Sequence, residues 1–254
     1  MTQIKQTNAL TLLNEKTTKG KLQRLLPPNT NINRFLQICF NEIRNIPALL
    51  KCKPESVVDA IGQAARLGLE IGGTLGHTYL LPYGDTCQFI IGYKGLKELA
   101  FKTGLVSSIE ARVVYENDHF DLEYGLEQRL IHRPVTKNRG KVDCYYGIAT
   151  LKDGTKILEM LTLDDIDKIK NSSRSANSKH SPWYTHEEEM GKKTVIRRIC
   201  KLLPQFSNND LLQEAISLDE KAEIGMQDNS TAFTVDGEVI EPQSTEDQIL
   251  EKLG

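Results

Sequence analysis

The sequence predicts an α+β protein, with helices towards both ends and an antiparallel sheet with its hairpins between them. Apolar residues recur at helical spacing from Asn31 to Leu67 and again from Met190 to Pro204, whereas the stretch from His77 to Leu161 breaks into short strand-like runs. Turn dipeptides separate those runs: Gly84-Asp85, Asn117-Asp118 and Asp153-Gly154. Helices that keep apart from locally paired strands are the α+β pattern.

Residues 1–30 are polar, rich in Lys, Thr and Asn, and end in Pro27-Pro28, which predicts a flexible arm with room for a short helix. Ile32, Phe35, Leu36, Ile38, Cys39, Ile43 and Ile46 then form one helical stripe that closes before Pro47. Pro54 opens the next helix, whose stripe is Val57, Val58, Ile61, Ala64, Ala65 and Leu67. Strands follow at His77–Tyr83 and Thr86–Tyr93, a short helix at Lys94–Lys102 stopped by Gly104, and a strand at Val106–Tyr115. Phe120–Tyr124 with Arg129–His132, and Cys144–Leu151 with Thr155–Leu161, form two further hairpins, and Thr136–Lys141 is a basic, Gly-containing turn. Thr162-x-x-Asp165 caps a helix through Lys170. A polar loop over Asn171–Pro182 leads to Thr185-x-x-Glu188, a capping-box signature for the last helix. The predicted organisation is an N-terminal arm over 1–30, a core domain over 31–207, and an acidic, disordered tail over 208–254.

Charge is unevenly placed. The 254-residue chain has a formal net charge of −2, but residues 205–254 hold twelve Asp or Glu against two Lys, leaving +8 for residues 1–204. The five cysteines are widely spaced with no CxxC pair, which excludes a zinc knuckle, argues against a disulfide framework and fits a reducing cytoplasm. No long apolar run predicts a membrane span, and the N-terminus lacks a secretory h-region.

The basic body is concentrated in Met190–Pro204, MGKKTVIRRICKLLP, which contains no acidic residue. At 100° per residue, Val195, Ile196, Ile199, Leu202 and Leu203 share one arc, while Lys193, Arg197 and Lys201 line the opposite side with Arg198 beside them. A ridge of cations without local partners points to a polyanion. Lys192 projects towards the apolar side. Trp183 and Tyr184 precede the helix and offer a stacking surface for bases, or an anchor in the core.

Motor and catalytic motifs are missing. There is no GxxxxGK[ST] loop, no GxGxxG after a strand, no GxSxG elbow and no HExxH helix, so no cofactor is expected. Glu116, Asp118, His119 and Asp121 offer oxygen and nitrogen ligands for a cation, although Asp and Asn are also favoured in turns for backbone reasons.

Four segments, in order, carry a resemblance: QFIIGYKGLKELAFKTG (Gln88–Gly104), VVYENDHFD (Val113–Asp121), LKDGTK (Leu151–Lys156) and the SPW–EEMGKKTVIRRICKLLP run of Ser181–Pro204. Together they resemble the RecT family of phage single-strand DNA annealing proteins, distantly related to the Redβ type. The resemblance implies ATP-independent annealing of complementary single strands in recombination and repair. It also implies a homo-oligomeric ring or filament, a positively charged groove, and a 5′→3′ exonuclease and host single-strand-binding protein as partners. Annealing breaks no bond; it needs cations against phosphate repulsion and a groove that leaves base edges free. The expected phosphate-facing set is Lys192, Lys193, Arg197, Arg198 and Lys201, followed by Lys94, Arg112, Lys137, Arg139, Lys141, Arg174 and Lys179, with Trp183 stacking or anchoring. Two other functions fit the residues: a metal-dependent nuclease using Asp118, His119 and Asp121, and a non-catalytic scaffold for an acidic protein.

Overall fold

A computed structural model describes residues 8–72, 75–173, 181–204 and 210–224. It opens with two helices, α1 (Ala9–Asn14) and α2 (Lys16–Leu25), where the sequence predicts a flexible arm. Asn8 caps α1 by accepting from the Thr11 N–H, and Leu12, Leu13 and Leu22 are buried. Polar composition hides these leucines, but their burial against the helices that follow offsets the cost of ordering the segment.

Asn31 caps α3 (Ile32–Asn45), accepting from the N–H groups of Asn33 and Arg34. A 3₁₀ turn over Pro47–Lys51 leads to α4 (Pro54–Leu67), which ends at Gly68 in the left-handed region, φ 62°. A hairpin follows, β1 (Thr78–Tyr83) and β2 (Thr86–Ile91), then α5 (Tyr93–Lys102). The next strands are β3 (Val106–Tyr115), β4 (His119–Glu123), β5 (Arg129–Arg133), β6 (Val142–Leu151) and β7 (Lys156–Thr162). They form two antiparallel sheets, ordered β3-β6-β7 and β4-β5, so the predicted central sheet is three small sheets among the described residues. The capping box at Thr162 and Asp165 is present and starts α6 (Leu163–Ser172).

Ser181 caps α7 (Pro182–Thr185), and α8 (Glu187–Leu202) begins at His186 with no side-chain cap. The expected box at Thr185 and Glu188 is therefore not formed: Thr185 belongs to α7, and the Glu188 carboxylate accepts from the Tyr115 hydroxyl instead. The α8 helix crosses one face of β3-β6-β7. Its close approach depends on two glycines. A Cβ on Gly147 would lie 2.7 Å from atoms of Val195 and Ile199, and one on Gly191 would overlap the Tyr145 ring. On the other face Val114, Cys144 and Tyr146 pack with Phe120 and Leu130 of the β4-β5 hairpin.

The largest departure from expectation lies after residue 208. There α9 (Asp210–Glu223) packs on α5, α8 and β2, with Leu212, Ala215, Ile216, Leu218 and Ala222 buried. The buried Gln88 amide donates to the Ala222 carbonyl at 2.8 Å. The acidic composition of the segment conceals an apolar stripe at helical spacing. The remainder of the predicted tail, 225–254, lies outside the described residues. All five cysteines are buried and free, and burial pushes the thiols of Cys39, Cys87, Cys144 and Cys200 up to about 12. Among the described residues, no helix is long and apolar enough to cross a membrane.

Candidate nucleic-acid interface

The basic ridge of α8 is largely taken up by acids of the same chain. Val195, Ile196, Ile199 and Leu203 are buried as expected, although Leu202 of the same predicted arc is 51% exposed at the helix end; Lys193, Arg197 and Lys201 lie opposite, where α9 packs. Lys193 Nζ pairs with Asp219 Oδ1 at 2.7 Å, Arg197 Nη1 with Asp219 Oδ2 at 3.2 Å and with Glu223, and Lys201 with Glu220. Arg197 is only 7% exposed. Burial opposes its charge, but Glu223 and Asp219 outweigh that and raise its pKa. The sequence places no acid within Met190–Pro204; the neutralising acids come from some 20 residues further on. Of the expected primary set, Arg198 and Lys201 are exposed, the latter paired with Glu220, and Lys192 and Lys193 are part-exposed.

Lys192 lies in a groove along the free edge of β3. Two adjoining hollows of about 270 and 560 Å³ share Glu110, Ala111, Arg112 and Lys192, and so form one channel. One end is walled by Tyr93 and Lys97 of α5, the other by Tyr115, His132, Pro134, Arg139 and Tyr146. Strand periodicity puts Glu110 and Arg112, two residues apart, on one face of β3. The groove thus brings Lys192, Arg112 and Arg139 of the expected set together with Lys97, which the sequence reading missed. Its signal was available: Lys97 follows Tyr93 by four residues on α5, and so shares its helix face.

Arg139 is held rigidly. Its guanidinium pairs with Asp118 and lies 4.0 Å over the centroid of the Tyr115 ring. The Asp118 side chain has no exposed surface, and accepts also from the Tyr115 and Val135 N–H groups at 3.1 and 3.0 Å, with His132 Nε2 at 3.1 Å. His132 Nδ1 in turn lies 3.1 Å from the Tyr146 hydroxyl. The Arg139 guanidinium, then His132 and the two backbone donors, hold the Asp118 carboxyl well below the usual carboxylate range. Lys141 N donates to Glu116 Oε2 at 3.1 Å, and Asn117 Nδ2 to the Asn138 carbonyl at 2.7 Å. The acidic cluster at 116–118 is therefore the anchor of the basic turn at 136–141.

This overturns the nuclease reading. The Asp118 oxygens are already filled by these donors, His119 and Asp121 point to the exposed face of β4, and no group of three metal-ligating side chains forms among the described residues.

Lys94, Lys137 and Lys141 are exposed, on α5 and the 136–141 turn. Arg174 and Lys179 lie outside the described residues. Trp183 is 1% exposed and packs in the main core, so its place is that of an anchor for the entry to α8 and not of a stacking platform. Tyr184 beside it is exposed, with Lys170 Nζ 4.4 Å over its ring.

Residues 33–234 match the RecT family. The chain is 41% identical over 226 residues to Protein RecT of Escherichia coli (strain K12), covering 86% of this chain and 82% of that protein. It is also 40% identical over 70 residues to the uncharacterized protein YqaK of Bacillus subtilis (strain 168), covering 28% of this chain and 25% of that one. The chain belongs to the RecT family of single-strand annealing proteins, which act in recombination without catalysing a reaction.

Proposed function

We propose that this protein binds single-stranded DNA along the β3-edge groove and anneals it to a complementary strand without ATP, as a cytoplasmic homo-oligomeric ring or filament. The observation that carries the reading is the groove itself, where Lys97, Arg112, Lys192 and Arg139 line one channel beside Tyr93, Tyr115 and Tyr146. Cations spaced along a channel suit a phosphate backbone, and aromatic edges suit bases held without sequence readout. A 5′→3′ exonuclease that exposes the strand and a host single-strand-binding protein are the proposed partners.

Two measurements test this. Arg112→Ala with Lys192→Ala lowers affinity for a labelled oligonucleotide at least about tenfold at low salt, as loss of two phosphate contacts requires; unchanged affinity contradicts the groove. Annealing of complementary oligonucleotides proceeds equally with and without ATP, and a strict ATP requirement contradicts the mechanism.

A further inference from the structure

The groove carries anions of its own. Arg112 Nη2 donates to Glu110 Oε2 at 2.8 Å, Lys192 Nζ to Glu189 Oε1 at 2.8 Å, and the Tyr115 hydroxyl to Glu188 Oε1 at 2.6 Å. All three carboxylates are exposed, and their residues line the same two hollows as the groups they occupy. They differ in kind from the carboxylates that hold the fold. Asp118 is fully buried and saturated by donors from three directions, and Asp219 is buried between Lys193 and Arg197. Buried pairs cannot part without leaving a charge stranded, whereas exposed pairs are weak and readily exchanged.

A carboxylate offers two oxygens to a guanidinium, ammonium or hydroxyl donor much as the two non-bridging oxygens of a phosphodiester do. Resting on the groove reading above, we infer that Glu110, Glu188 and Glu189 are place-holding carboxylates of the annealing site. They occupy the phosphate positions of the groove, give them up when a strand enters, and reclaim them as it leaves. Their competition is local, because each is hydrogen-bonded to the group the phosphate needs. They thereby set how long an unmatched strand stays bound, and so how fast a wrong pairing is discarded. Without them the groove would be a static trap for polyanions; with them the strand remains exchangeable until pairing with its complement holds it.

The test uses the full-length chain and a labelled oligothymidylate. Glu110→Gln with Glu189→Gln keeps the hydrogen-bonding shape of both side chains and removes their charge. The expected result is dissociation slowed about three- to tenfold in a stopped-flow chase, as for two exposed charges that each contribute a factor of a few. Mismatched strands are also retained longer in an annealing reaction. The matched control is Glu70→Gln with Asp85→Asn, which removes the same net charge from exposed pairs with Arg34 and Lys53, away from the groove. Its dissociation rate stays at the wild-type value. A wild-type rate in the Glu110/Glu189 variant, or equal slowing in the control, overturns the proposal while leaving the groove as the interface. If Arg112→Ala with Lys192→Ala also binds as the wild type does, the groove reading fails first and takes this proposal with it.

Discussion

The two sides of α8 carry the same kind of charge in opposite settings. On one, Lys193, Arg197 and Lys201 meet Asp219, Glu220 and Glu223 of α9, and the central pair is sealed from water. On the other, Lys192 joins Arg112 beside exposed carboxylates in an open groove. A run of cations therefore has two uses in this protein, as an internal ionic joint and as a surface for an external anion. What separates them is whether the partner acid is buried with the cation. Density of positive charge in the sequence does not distinguish the cases, and here the denser run is the joint.

The comparison can be broken most forcefully by removing α9. Truncation after Pro204 strips cover from Arg197 and exposes the groups against which Leu212, Ala215 and Ile216 pack, each buried Leu or Ile contributing about 1.5–3 kcal/mol. The truncated chain is expected to unfold or aggregate, read by circular dichroism and limited proteolysis; a soluble, cooperatively folding core would show that α9 is dispensable. Arg197→Ala is the next largest effect. It strips the part-buried Glu223 of its Arg197 partner and leaves the buried Asp219 with Lys193 alone, a loss of about 3 kcal/mol in denaturant unfolding. Arg198→Ala, one residue along but exposed, changes stability by less than about 0.5 kcal/mol. Equal effects of the two substitutions would erase the distinction drawn between the faces of α8.

The anchor at Asp118 gives a pH-dependent version of the same contrast. Its folded-state pKa is depressed by Arg139, His132 and backbone donors, so its stabilisation is complete above the unfolded carboxyl value of about 3.9 and fades as pH falls towards the folded value. Asp118→Asn is therefore less stable than the wild type at neutral pH, and the difference between their unfolding midpoints narrows below about pH 4. A difference independent of pH across that window would mean that the Asp118 charge does not hold the 136–141 turn.

Much of the fold was legible because local signals dominate it. Gly84-Asp85 and Asp153-Gly154 mark their hairpins, Thr162 and Asp165 form the expected capping box, and the bounds of β3 match the predicted run. What was missed depends on tertiary partners. Leu12, Leu13 and Leu22 order a segment that reads as polar, and Leu212, Ala215 and Ile216 order one that reads as acidic, because neighbouring helices complete their burial. The site suffered from the same blindness. The helical wheel correctly put Arg197 opposite Val195 and Ile199, but the occupant of that side comes from a segment composition assigned to a disordered tail. Lys192, which the wheel placed on the wrong side for DNA, lies in the groove because the edge of β3 passes beneath it. Asp118, a metal-ligand candidate by residue type, is a structural acceptor because two turns fold onto it.

The most direct test of the central claim compares salt dependence of single-strand binding in the wild type, in Arg112→Ala with Lys192→Ala, and in Arg198→Ala with Lys201→Ala. Each phosphate neutralised on a single strand contributes a slope of roughly −0.7 in a plot of log affinity against log salt. The account predicts that the groove variant flattens the slope by about 1.4, the value for two lost contacts, while the α8 variant keeps the wild-type slope. A wild-type slope in the groove variant with a flattened one in the α8 variant would place the DNA on the helix face and contradict the account.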